Sequence, residues 1–471
     1  MRLLLCSTVM TFNHTLVCTR GLRIMFFQSF KARSRLYPRA ALAELTVGLV
    51  AGLLTCLSWP ALTQAQTLDD DVLALANAEK PALIQTLQEV VEIESGSGDY
   101  EGLARLADYI AEALSELGGD VELLDANEEV YRMFDTPEQI GPMVHARFEG
   151  SGDKRILLIA HMDTVYLRGM IDDQPFRIDG NRAYGLGISD DKQGVALIIH
   201  TVAMLQELGF ADYGTLTVLI NGDEEVSSPG SRATLVRMGS EHDAVFSVEP
   251  SSIGNDTLSL ATSGIGAATM TVHGRASHAG AAPEQGRNAL YEMAHQLLQL
   301  DDLSEPENGF KVNWTLAQVG TKRNVIPAEA VATADVRMLR QEDFSRLEDR
   351  IRERIANKRI PDTDISLSFE NRRPPLNATD AARSLAAHAQ VVYQELDMEL
   401  AVSDQATGGG TDAAFAALET DAPVIERFGL QGFGAHTSND EYVDLNSVVP
   451  RLYLMTRMIM DVSTGAINLA E

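Results

Sequence analysis

Short apolar runs recur along this chain, each followed by a polar turn and a stretch with apolar residues at helical spacing. They predict buried strands at 156–160, 216–220, 244–248 and 424–428, and a helix at 194–208 between the first two. Strands alternating with helices imply a parallel sheet covered on both faces. From about residue 264 the rhythm changes. Strands are expected at 267–272, 312–319, 331–338 and 365–369, with helices at 288–300 and 343–357. That order, βαββαβ, is the ferredoxin-like arrangement. The α/β pattern then resumes near Asp380. The expected fold is an α/β catalytic-type domain with a mainly parallel sheet, at 67–263 and 374–471. An α+β domain at 264–373 interrupts it.

Residues 1–66 follow neither pattern. Seven basic residues and a single acid, Glu44, precede an apolar stretch at 45–57, which is followed by small and polar residues. This order describes a secretory leader, with an exit near Thr63-Gln64-Ala65. The stretch is shorter than the roughly 20 apolar residues of a membrane span, so no stable membrane anchor is expected. All three cysteines, Cys6, Cys18 and Cys56, lie in the leader. A chain without them has no disulfide and no thiolate metal ligand. Without the leader's charges the net charge of −29 becomes −35, which disfavours nucleic acid and anionic lipid as partners. The expected location is periplasmic or secreted.

Chemistry is concentrated where strands end. Ligands in open α/β sheets bind beyond the carboxyl ends of the strands. There the chain places His161 and Asp163 in "HMDTV", Glu224 and Glu225 in "NGDEEVSSPG", and Glu249 in "SVEP". His436 in "GFGAHTSNDEY" and Asp190 and Asp191 in "GLGISDDKQG" complete the set. Any one of them has an ordinary explanation, such as a core histidine or a solvated acidic turn. "GLGISD" lacks the third glycine of a dinucleotide loop, and "TGGGTDAA" at 407–414 lacks the lysine of a phosphate loop. His200, inside an apolar helical stretch, reads as a core residue. Jointly, two histidines and several carboxylates without sulfur suit zinc, and an acid-rich set suits two ions sharing a carboxylate. No H-E-x-x-H helix is present.

These motifs, with "TVHGRASHAG", "NVIPAEA" and "ADVR", stand in the order of the carboxypeptidase G family, which the whole chain beyond the leader resembles. That family of glutamate carboxypeptidases belongs to the co-catalytic zinc peptidases, dipeptidases and aminoacylases. The resemblance implies two Zn2+ per subunit. His161 and Glu249 would hold one ion, Glu225 and His436 the other, and Asp190 would bridge them. It also implies that Asp163 orients His161, that Glu224 is the general base, and that Arg337, Asn324 and Arg373 bind a substrate carboxylate. Thr257 departs from a relative's lysine, and Gln193 stands where many relatives have glycine, beside the ligand without replacing it. The inserted domain would serve as lid and dimer contact, with His278 reaching the partner's active site in a homodimer. The expected substrates are small N-acyl amino acids or short peptides ending in glutamate. An amino-acid N-deacylase is the alternative, and a non-catalytic zinc- or peptide-binding protein the reading from another class.

Overall fold

The computed structural model describes residues 59–437 and 440–467, with side chains from residue 69 onward. Most of the expected leader, residues 1–58, therefore lies outside the described residues. The first element, helix Trp59–Glu92, starts within the stretch expected to be leader. Among the described residues no helix is long and apolar enough to cross a membrane.

The central sheet has six strands in the order Asp120–Leu124, Met143–Glu149, Thr215–Asn221, Arg155–His161, Ala244–Ser247 and Val424–Ile425. The last four run parallel, and the first two join as antiparallel neighbours at one edge. Strand Arg155–His161 is buried from Ile156 to its end. Its alternating side chains serve two cores. Ile156, Leu158 and Ala160 pack with residues of helices Gln193–Glu207 and Val448–Ser463. Leu157 and Ile159 pack with Leu235, Met238 and Ala413 on the other face. Burial on both faces is why the run reads as continuously apolar rather than alternating. Because Thr215–Asn221, Arg155–His161 and Ala244–Ser247 are parallel, their carboxyl ends open on one side, carrying His161, the turn after Asn221 and the turn after Ser247.

The strand expected at 424–428 is shorter than its sequence implied. Arg427 adopts φ 65°, a left-handed conformation that breaks the ladder after Ile425.

The inserted sheet has the order Lys311–Val319, Glu329–Met338, Gly264–His273, Asp364–Arg373, with every pair antiparallel. Numbered along the chain this is 2-3-1-4, the ferredoxin-like order. Helices Ala289–Gln299 and Glu342–Ile355 complete it. Along Glu329–Met338 every second residue from Ala330 to Met338 is buried. These side chains share one core with Met293 and Leu347 of the two helices. Both sheets belong to one compact unit, Thr63–Glu471.

Candidate metal centre

Five side chains from five separate segments meet beyond the sheet's carboxyl edge. His161 Nε2 lies 3.0 Å from Asp190 Oδ1 and 3.5 Å from Glu249 Oε1. His436 Nε2 lies 3.2 Å from Asp190 Oδ2 and 3.0 Å from Glu225 Oε2. The two oxygens of Asp190 thus face two different histidines, and each histidine faces a further carboxylate. His161–Asp190–Glu249 and Asp190–Glu225–His436 each bring three ligand atoms close enough to share one ion.

The chemistry of this set fits cations. Glu225 Oε1 is buried without a hydrogen-bond partner, and an orphaned carboxylate oxygen calls for positive charge. Burial raises the carboxyl of Glu249, and that of Glu225 to about 7, although His436 opposes the latter. Asp190 and Glu225 push the His436 imidazole up to about 11. Burial disfavours a charged His161, but Asp163, Asp190 and Glu249 together outweigh it and hold its pKa well above the usual value. Negative groups outnumber positive ones here, and divalent ions bound by imidazole and carboxylate remove the imbalance.

Asp163 is fully buried and ties the two halves together. Its Oδ1 lies 3.3 Å from His161 Nδ1, which turns the opposite nitrogen toward Asp190 and Glu249. The same carboxylate accepts the backbone N–H groups of Glu224 and Glu225, at 3.0 and 3.1 Å, and the Ser97 hydroxyl at 2.7 Å.

Two supports escaped the sequence reading. Glu441, buried, accepts the N–H groups of Gly187, Ser189 and Asp190 and the hydroxyl of Tyr166. The Tyr166 hydroxyl oxygen also lies 3.0 Å from Thr437 O, beside His436, so one pair stands against both loops around the bridging aspartate. Gln193 does more than flank the ligand. Its amide nitrogen donates to Asp191 Oδ1 and Val248 O, and its oxygen accepts from Leu430 N–H. A Cβ at Gly429 would lie 2.4 Å from that amide nitrogen, so the close approach needs glycine there. "DEY" could have flagged Glu441 only as one more acid in a polar loop.

Glu224 is buried next to this centre but belongs to neither three-residue group. Its Oε1 lies 2.9 Å from Arg373 Nη2. Burial pushes its carboxyl well above the usual range, with Arg373 opposing. A cavity of about 500 Å³ opens over Asp190, Glu224, Glu225, Glu249 and His436, and its far wall comes from the inserted domain. Arg337 and Arg373 line it, whereas Asn324 and Thr257 do not. Arg337 forks onto Asp335 and also donates to Gly408 O. Arg373 is 2% exposed. His278 stands apart from the cavity, exposed on a two-residue strand paired antiparallel with Val325–Ile326.

The sequence model described as Peptidase family M20/M25/M40 matches residues 157–461. This chain belongs to that family. Carboxypeptidase G2 of Pseudomonas sp. (strain RS-16) is 41% identical over 433 residues, 92% of this chain and 100% of that one. The M20 chain is thus a metallopeptidase relative of the carboxypeptidase G group, as its motifs imply. Succinyl-diaminopimelate desuccinylase of Gluconobacter oxydans (strain 621H) is 28% identical, covering 66% of this chain and 83% of that one. Among solved structures, the Bacillus subtilis YXEP protein, a dinuclear metal binding peptidase from M20 family, superposes with a TM-score of 0.59. It is 17% identical over 82% of this chain and 99% of that chain, a likeness of fold.

Proposed function

We propose that this M20 enzyme is an exported two-zinc carboxypeptidase that releases a C-terminal amino acid, preferentially glutamate, from small N-acyl amino acids or short peptides. The observation that carries the reading is Asp190 facing both histidines while Glu224, outside both ligand groups, lines the same cavity. Two zinc ions, held by His161 with Glu249 and by Glu225 with His436 around a shared Asp190, would supply Lewis acidity for water activation and carbonyl polarisation.

The chain's own residues do the rest. Asp163 keeps His161 in register. Glu224 takes a proton from the attacking water and hands it to the departing amine, the general acid–base role for which its position suits it. Arg337 on the cavity wall supplies a planar guanidinium suited to a substrate carboxylate and is at present partnered by Asp335, whereas Arg373 is taken up by Glu224 and Asp412. On a panel of N-acyl amino acids and dipeptides, assayed with and without chelator, we expect chelator-sensitive release with glutamate favoured several-fold over leucine. Equal rates on the two would remove the preference. A desuccinylase relative favours deacylation as the second reading, and faster release from succinyl- or acetyl-amino acids than from dipeptides would select it.

The reading includes a homodimer through the inserted domain, with His278 serving the neighbouring site. His278 Nδ1 accepts the N–H groups of Gly280 and Ala281 at 3.2 and 3.0 Å. The neutral ring therefore carries its proton on Nε2, free to donate to an oxyanion. Strand Lys311–Val319 is an unpaired sheet edge, and helix Ala289–Gln299 exposes Leu290, Tyr291 and Leu298. Such surfaces favour a second copy. Mixing Glu224→Ala subunits with His278→Ala subunits should restore about a quarter of wild-type activity, since random exchange gives half the dimers one complete site. A mixture that stays inactive after demonstrated chain exchange would place His278 in its own chain's site or in none.

A further inference from the structure

The loop "TGGGTDAA" lacks the lysine of a phosphate loop, and although its Gly409, Gly410 and Thr411 border the cavity, its Asp412 has no part in the chemistry described so far. Asp412 is 6% exposed. Its Oδ1 accepts Arg373 Nη1 at 2.7 Å and also the Ser228 hydroxyl. Its Oδ2 accepts Asn221 Nδ2 at 2.7 Å. Asn221 and Ser228 flank the turn that carries Glu224, so Asp412 is fastened on both sides of that turn. Arg373 in turn holds Glu224 twice, from Nη2 to the side-chain Oε1 at 2.9 Å and to the backbone carbonyl at 2.8 Å. Behind it, a Cβ on Gly410 would lie 3.0 Å from Arg373 Cδ and 2.6 Å from Ser263 O. Gly410 is what lets this loop lie against the arginine.

We infer that Asp412 is a positioning residue for the base: it fixes the guanidinium of Arg373, which fixes the carboxylate of Glu224 over the metal groups. The inference rests on Glu224 being the base. A guanidinium is planar and presents its donors in a rigid fork. With one nitrogen pinned on Asp412, the other is aimed at a single place, and the side chain of Glu224 is held there. Without that pin, Arg373 keeps its charge but not its direction. A displacement of about 1 Å in a reacting group can reduce rate on the order of a hundred-fold. A buried arginine left with one carboxylate partner instead of two also loses stability, so the test must separate position from folding.

Asp412→Asn keeps the shape and one oxygen acceptor while removing the charge. We expect kcat to fall about ten-fold or more, with KM within about two-fold and metal content unchanged. Ser228→Ala removes one tether of Asp412 and should give a smaller loss with the same signature, which serves if Asp412→Asn does not fold. In a Glu224→Asp background, where the shortened base no longer meets Arg373 as before, adding Asp412→Asn should cause little further loss. Independent, multiplicative losses would overturn the inference, as would a raised KM with kcat intact or a fall in activity that follows lost metal. If Glu224→Gln remains active, the base assignment itself fails. If that variant is inactive but Asp412→Asn and Ser228→Ala behave as wild type, only the positioning role falls.

Discussion

Glu224→Gln is expected to abolish turnover while metal content stays near that of the unaltered enzyme. Glutamine matches glutamate in shape but cannot take a proton at neutral pH, and general acid–base catalysis contributes on the order of a hundred- to ten-thousand-fold. Glu224 has no place in either ligand group, and its carboxylate instead meets Arg373. Its neighbour is different. Glu225 Oε2 lies 3.0 Å from His436 Nε2, and Glu225→Gln should lower metal occupancy first and activity in consequence. Parallel measurement of kcat and metal per chain checks the division. Equal loss of metal from both variants would show that the two adjacent glutamates do not divide the work.

The second large effect is expected at the shared carboxylate. Asp190→Ala should inactivate the enzyme and lower the occupancy of both metal positions, since its Oδ1 and Oδ2 serve opposite histidines. Glu249→Ala should weaken only the position beside His161. Chelation of the unaltered enzyme should likewise end activity, and added zinc should restore it. Metal analysis and equilibrium binding distinguish the cases. An Asp190→Ala chain that binds one ion with unaltered affinity would remove the bridging role.

Much of this arrangement was legible in the sequence because buried parallel strands leave long apolar runs, and their ends mark one edge. Strands at 156–160 and 216–220 emerge as Arg155–His161 and Thr215–Asn221, and the acids and histidines after them converge. The inserted domain was legible for another reason. Its element order alone specifies the ferredoxin-like arrangement, and Glu329–Met338 alternates clearly. The edge strand Asp120–Leu124 and its neighbour Met143–Glu149 gave weaker signals. The first buries no residue fully, and His145 and Arg147 interrupt the apolar character of the second. The braces were the least visible. Glu441 meets Ser189 across 252 positions, and Asp412 meets Arg373 across 39 and Ser228 across 184, and no local spacing announces such a partner. Arg373 could be noticed as a cation but not as a buried one, because its burial comes from the meeting of the inserted strand with the catalytic sheet.

The way Asp163 holds the glutamate turn has a practical use. It grips Glu224 and Glu225 by their backbone N–H groups, and every non-proline side chain leaves those groups in place. The backbone of the turn is therefore held in the same way when glutamine replaces Glu224. A Glu224→Gln chain should keep its cavity and its wall while lacking the proton transfer that ends each encounter. Incubated with a cell extract and recovered by affinity, such a chain could retain uncleaved molecules long enough for mass spectrometry to identify their acyl groups. The protein would then serve as a trap for its own natural substrate.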